Sequence, residues 1–421
     1  VSLFRFPGEI FLRVLQCLMI PLAMTSVVSA VGGQGCGSGA SLALRTVAYS
    51  VLTTLFACVT GLVLVLLIKP GVNSPPLPAY PAARFRALGV DGVFDIISIP
   101  RRCSTPFLGV TTTKTRVMTP TGSGEAATTI AQERAIDGKD VSATTEAPVQ
   151  EKQMHVNLTG LVAFSLLLGF ALSRSESEDT RERNTLLCLT KVLSNKLMRM
   201  TSIVLWYSPI GICFLVVGDV LRVRDFSAVI WHLGLYAFTV LLGFGVHSLV
   251  FLPALYLVYV RRDAGRFFVN LLYPIVIAFG TSSSRIASPV TMATLERKIG
   301  LLPSTVRLVV PLGTILNRDG AAIYGIVATI YIAQKQGVQL GPGTLLFLVV
   351  ACSLATLGLH GTHPELQGTA HLSLLLALVG LPSEDVGYIS TLHWFLDRVS
   401  SCVNLLSDCI GVAVLQSRDE E

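Results

Sequence analysis

Residues 309–334 read VVPLGTILNRDGAAIYGIVATIYIAQ, apolar at both ends with Asn317, Arg318, Asp319 and Gly320 in the middle. About 20 apolar residues carry a helix across the hydrocarbon of a bilayer, so this run is long enough to span. Lipid offers no partners to backbone N–H and C=O groups. A polar break at that depth is therefore tolerated only where protein or a water-filled cavity satisfies them. The stretch predicts a broken membrane helix lining an internal site.

Outward from it, apolar runs fall at about 6–31, 42–68, 157–173, 194–221, 226–260, 267–295, 303–334, 344–380 and 386–416. The early runs are ordinary spans, some long enough to tilt. Run 267–295 is interrupted by Thr281-Ser282-Ser283-Ser284-Arg285, and run 344–380 is broken from Gly358 to Gly368. Run 386–416 carries Asp397, Arg398, Asn404 and Asp408. An interrupted segment followed by a polar-centred helix thus occurs twice, and such internal repetition points to a transporter site near the midplane. Gly and Ser alone would also serve close helix packing. That leaves the carboxylates and guanidinium groups unexplained.

Composition agrees. Of 421 residues 52% are hydrophobic and 14% charged, with mean hydropathy +0.65. Soluble domains carry about 25% charged residues. Thirty-two Lys+Arg against 26 Asp+Glu leave +6, too little to argue for nucleic acid. Soluble enzyme, disordered scaffold and secreted disulfide module are excluded. The nine cysteines show no CxxC or Cys/His spacing, and Cys17, Cys58, Cys213, Cys352, Cys402 and Cys409 sit in apolar runs as small hydrophobes. No G-x-S-x-G, H-E-x-x-H or Walker-type loop occurs, so no enzyme is predicted. His247, His360, His363, His371 and His393 are scattered, and each reads as a packing residue.

Four sections follow: spans in 1–69, a long outer loop in 70–156, further spans in 157–260, and a transport core in 261–421. Ser104–Gln153 is rich in Thr, Ser, Gly and Glu without hydrophobic period and reads as largely disordered. Asn157-Leu-Thr is a weak glycosylation acceptor at the edge of an apolar run. Basic clusters at Arg174/Arg181/Arg183/Lys191, Arg261/Arg262/Arg266 and Arg297/Lys298 place those connections and the C-terminus in the cytoplasm. Only Arg222/Arg224 opposes that orientation. The chain opens at Val1 with an apolar run almost at once and no secretory signal, which reads as a fragment or a lost upstream span.

Charge inside a membrane is costly enough that each group is a functional candidate. Asp319 with Asn317, and Asp408 with Asn404 one turn away, supply hard oxygen ligands suited to a cation. Structural ion pairs with Arg318 and Arg398 are an equal alternative. Asp397 shares one helical face with Ser400, Ser401 and Asn404, a setting for an α-ammonium group. The Thr281–Ser284 run offers hydroxyls and free N–H groups to a carboxylate. Together they suit an amino acid held at both ends. A proton relay is the rival, weakened because no His accompanies the aspartates in these two helices at a spacing read as useful for a relay.

At these residues the chain resembles the dicarboxylate/amino acid:cation symporter family, the glutamate and neutral amino acid transporters. The blocks are FPGEIFLRVLQCLMIPL, VAYSVLTTLFACVTG, VLWYSPIGICFLV, GTSSSRIASPVT, VVPLGTILNRDGAAIYGIVATIYIAQ and LHWFLDRVSSCVNLLSDCIGVAVLQ. They cover nearly everything except 72–155. The resemblance implies an all-α polytopic fold with inverted repeats, two re-entrant hairpins (about 267–296 and 344–378) and broken helices, its first span missing here. It also implies a homotrimer in the plasma membrane, lipid-embedded, coupled to sodium and conducting chloride, with no organic cofactor. Carried over residue by residue, Asp397 would hold the substrate ammonium. Ser283 and Ser284 would hold the α-carboxylate, with Ser400, Ser401 and Asn404 lining the site. One sodium would use Gly313, Asn317, Asn404 and Asp408, and a second Thr53, Thr54, Asn317 and Asp319.

Ser400 stands where acidic-substrate members carry an arginine, so the expectation is a preference for small neutral amino acids. Three departures from the family pattern matter: Arg318-Asp319-Gly320-Ala321 in place of Met-Asp-Gly-Thr, Arg285 beside the first hairpin tip, and 359–368 (LHGTHPELQG) at the second. Arg318 is expected to pair with Asp319 or Asp408 in place of a sodium. Two alternatives stand beside neutral symport: an acidic amino acid symporter in which Arg318 or Arg285 holds the side-chain carboxylate, and a transport-impaired protein acting as an anion channel.

Overall fold

The computed structural model describes residues 2–33, 36–73, 158–174, 180–221, 226–261, 263–358, 364–381 and 386–420. Among the described residues there is no strand. Helices α1 (Ser2–Gly33), α2 (Cys36–Ile68) and the single turn α3 (Pro70–Asn73) open the chain. Downstream come α4 (Leu158–Arg174), α5 (Thr180–Leu205), α6 (Ser208–Val220), α7 (Phe226–Val246) and α8 (Leu252–Tyr259). The last section holds α9 (Ala264–Thr281), α10 (Ser284–Thr294), α11 (Pro303–Leu316), α12 (Asp319–Lys335), α13 (Pro342–Gly358), α14 (Pro364–Val379) and α15 (Val386–Glu420).

Among the described residues five helices are long and apolar enough to cross a membrane: Phe6–Gly33, Ser38–Ile68, Trp231–Tyr259, Ala264–Thr281 and Ile389–Arg418. The run read at 194–221 is instead two helices, 184–205 and 208–218, bent by 61°. Pro209 lacks an N–H and cannot continue the ladder of α5, so the chain turns at Trp206-Tyr207 and restarts. Run 226–260 holds a π turn at His247–Phe251, where Leu252 N reaches back to His247 O. Pro253, unable to donate to the preceding turn, accounts for the widening. Leu52, Leu67, Ile203, Trp206 and Leu249 point outward, as lipid-facing side chains do. The protein is an all-α polytopic membrane protein.

The span in α15 differs from the rest. Its apolar window is 89% buried, against 33% for Trp231–Tyr259. It is the central helix, packed by α9, α11, α12 and α7. Helices α9 and α10 pack on each other as a hairpin, and so do α13 and α14. The connection 359–363, the loop 74–157 with its Asn157 acceptor, and Arg222/Arg224 lie outside the described residues.

Two apolar cores meet at mid-depth. One gathers α1, α10, α11 up to Ile315 and α15 from Leu405 onward. The other gathers α2 around Ala57, α12 from Ala322, α13, α14 and α15 up to Val403. The boundary between them coincides with the break in 309–334. Polar groups are concentrated there because apolar packing on either side leaves that layer without lipid contact.

Candidate functional site

The α11 helix ends at Leu316 and α12 begins at Asp319, with Asn317 and Arg318 extended between them. The break frees the last carbonyls of α11 and the first N–H groups of α12, which side chains then meet. Gly320 N donates to Asn404 Oδ1 (2.8 Å). Asp319 sits in the first turn of α12, where the helix dipole favours an anion.

Asp319 has no exposed surface, and its carboxylate is well partnered. Thr54 Oγ1 donates to Oδ1 (2.9 Å), Ser407 Oγ donates to Oδ2 (2.7 Å), and His247 Nε2 lies 3.0 Å from Oδ2. Asn317 bridges the two carboxylates: Nδ2 donates to Ser407 Oγ (2.8 Å) and Asp408 Oδ1 (3.1 Å), while Oδ1 accepts from Thr53 (3.1 Å). The other Asp408 oxygen, Oδ2, is buried and has no hydrogen-bond partner. Gly313 faces the same carboxylate, since a Cβ there would stand 2.5 Å from Asp408 Oδ1.

The sequence-predicted ion ligands Thr53, Thr54, Gly313, Asn317, Asp319, Asn404 and Asp408 therefore converge in one layer. Among the described residues no three His, Cys, Asp or Glu side chains gather as a metal-ion site. Two carboxylates surrounded by amide, hydroxyl and carbonyl oxygens, one carboxylate oxygen unpartnered, suit a hard monovalent cation better than a transition metal.

The first hairpin tip is built by local rules. Asp263 caps α9, accepting from Arg266 N (3.3 Å). Thr281 ends α9, Ser282 turns the chain in the left-handed region (φ 53), and Ser283 Oγ caps α10 by accepting from Ile286 N. Ser282 Oγ donates to Asp397 Oδ2 (2.6 Å), joining the tip to α15. Arg398, the next residue, is buried, and its Nη1 donates to the carbonyls of Phe279 (3.0 Å) and Gly280 (2.6 Å) at the end of α9. Phe279 O also accepts weakly from Ser282 N (3.4 Å), and the guanidinium supplies the charged donor that the end of the helix attracts.

Ser283, Asp397, Arg285 and Arg318 are half-buried, while Ser284, Ser400, Ser401 and Asn404 are buried. Arg285 and Arg318 lie within electrostatic reach of Asp397, and Arg285 within reach of Arg318. The expected pairing of Arg318 with Asp319 or Asp408 is not what forms. Asp319 is already served by Thr54, Ser407 and His247, and Asp397 is the carboxylate within electrostatic reach of the Arg318 guanidinium. Arg398, the other arginine of that alternative, gives its Nη1 to the α9 carbonyls.

Three residues of the layer escaped the sequence reading. Tyr49 OH donates to Ser407 O (3.0 Å), Ser407 bonds both Asn317 and Asp319, and His247 reaches Asp319 from the π turn. Tyr49 precedes Thr53 by four residues and Ser407 follows Asn404 by three, so helical spacing could have found both. His247 had no such signal, and reading it as packing was wrong.

This architecture is that of a polytopic carrier with broken helices meeting around buried carboxylates. The profile of the sodium:dicarboxylate symporter family matches residues 1–418, and the chain belongs to that family. It is 30% identical over 431 residues to excitatory amino acid transporter 2 of Mus musculus, covering 99% of this chain and 73% of that protein. It is 31% identical over 419 residues to excitatory amino acid transporter 3 of Homo sapiens (98% and 79%). Excitatory amino acid transporter 1 of Ambystoma tigrinum is 29% identical over 422 residues (98% and 77%).

Proposed function

We propose that this protein is a sodium-coupled secondary symporter of acidic amino acids in the plasma membrane, working as a homotrimer with its C-terminus in the cytoplasm. The expectation of neutral selectivity, drawn from Ser400, is given up. Relatives named for excitatory amino acids support the acidic reading. The observation that carries it is that Arg285 and Arg318 both lie within electrostatic reach of Asp397. Positive charge absent from position 400 is supplied instead by the hairpin tip and the helix break. A dicarboxylic amino acid brings one ammonium and two carboxylates, which one aspartate and two guanidinium groups complement.

In this reading Asp397 exchanges the Ser282 hydroxyl for the substrate ammonium. Ser283 and Ser284, at the N-terminus of α10, receive the α-carboxylate. Ser400, Ser401 and Asn404 line the remaining wall. One sodium uses Gly313, Asn317, Asn404 and Asp408, the other Thr53, Thr54, Asn317 and Asp319. Both ion sites share Asn317, and Asn404 links one of them to the substrate face of α15, so ion and substrate occupancy are coupled through two amides.

Radiolabelled aspartate uptake into proteoliposomes, with sodium or choline outside and unlabelled glutamate, alanine or serine as competitors, tests the reading. Sodium-dependent uptake blocked best by glutamate is expected. Stronger competition by serine or alanine would sink acidic selectivity, and chloride current without uptake would replace transport with a channel.

A further inference from the structure

We propose that His393 is a substrate-selecting residue, its imidazole donating a hydrogen bond to the distal carboxylate of the carried amino acid. The proposal rests on the acidic reading above and adds a group to its site. His393 lies four residues before Asp397 on α15, hence on the same helical face one turn away. Its ring stacks at a tilt against Tyr324 of α12 (5.1 Å between centroids, 51° between planes). Asp397, Arg318 and His371 are the charged and titratable groups within its electrostatic reach.

Both ring nitrogens, Nδ1 and Nε2, are buried and find no hydrogen-bond partner among the described residues. A neutral imidazole carries one donor and one acceptor, and leaving either dry costs about 1–3 kcal/mol. Native proteins satisfy nearly all such groups, so an imidazole with both nitrogens idle calls for a partner that is not part of the resting chain. Its neighbours narrow the chemistry of that partner. Arg318 and Asp397 share its field, and the acidic substrate of the reading above brings the carboxylate acceptor that an imidazole N–H can serve. Trp394 Nε1 is also idle. It offers a single donor, on a ring packed edge-on against Phe395 (5.9 Å between centroids).

The test compares KM for aspartate and for serine in wild type, His393→Leu and His393→Gln at equal surface density. Leu removes both nitrogens at similar volume, and Gln restores an N–H donor of comparable reach. Loss of one hydrogen bond to a carboxylate predicts an aspartate KM raised about tenfold in His393→Leu. The serine KM should move much less, and His393→Gln should recover most of the difference. An unchanged aspartate-to-serine ratio in His393→Leu, with aspartate transport intact, overturns the His393 assignment alone. Equal losses in Leu and Gln variants do the same. A wild type that carries serine but not aspartate overturns the parent reading instead. His393→Asn, whose shorter amide predicts only partial recovery, keeps the comparison open if His393→Leu fails to reach the membrane.

Discussion

Single atoms decide most of the site. Gly313 is a glycine because Asp408 Oδ1 occupies the space of its Cβ, 2.5 Å away. Gly313→Ala should displace the Asp408 carboxylate and raise the sodium concentration for half-maximal uptake at least about tenfold, a shift of about 1.4 kcal/mol in ion affinity. A sodium titration of uptake at saturating substrate checks it. His247 is one of three partners of Asp319, so its removal leaves that carboxylate two hydroxyl donors rather than none. His247→Leu should therefore lower stability by about 1–3 kcal/mol, the cost of one missing buried hydrogen bond, and not by the larger penalty of an isolated buried charge. Thermal unfolding in detergent measures this, and His247→Gln should lie between the two.

Elements place those atoms. The α9–α10 hairpin depends on α15 at two successive residues, Asp397 toward the Ser282 hydroxyl and Arg398 toward the Phe279 and Gly280 carbonyls. Arg398→Gln should remove the charged donor from the Phe279 and Gly280 carbonyls at the end of α9, and amide hydrogen exchange over 278–286 should quicken while α12 stays protected. Unchanged exchange there would mean that the guanidinium does not hold the tip. Ser282→Gly separates backbone from side chain. Glycine adopts φ 53 without the roughly 1–2 kcal/mol that an L-residue bears there, yet it loses the bond to Asp397. The expected outcome is a protein of near-equal stability whose substrate KM changes, because the Asp397 carboxylate is freed before substrate arrives.

At the scale of the whole molecule, two apolar cores clamp one polar layer. Cations entering that layer neutralise buried carboxylates and should stabilise the folded protein by mass action. Sodium at about 100 times its dissociation constant contributes about 2.7 kcal/mol per site. The melting temperature should rise with sodium and not with choline, and the rise should shrink in Asp408→Asn. A sodium-independent melting temperature would remove the ion sites from the proposal. Native mass spectrometry in detergent tests the trimer.

The broken span at 309–334 and the serine-rich tip at 281–284 were legible as sequence because both violate a rule no bilayer relaxes: backbone polar groups at depth need partners. Spacing made Asn404 and Asp408 readable, since residues four apart share a helix face, and Asn317 and Asp319 stood in the polar break itself, whereas Thr53 and Thr54 were implied only by the resemblance to the family. Where each charge ends up was not readable. Arg318 beside Asp319 in sequence feels the charge of Asp397, Arg398 Nη1 donates to carbonyls, and a histidine 72 residues from Asp319 becomes its partner. Adjacency along a chain sets the choices available to a charged group. Packing of distant helices sets which choice has the lowest desolvation cost, and that is decided only in three dimensions.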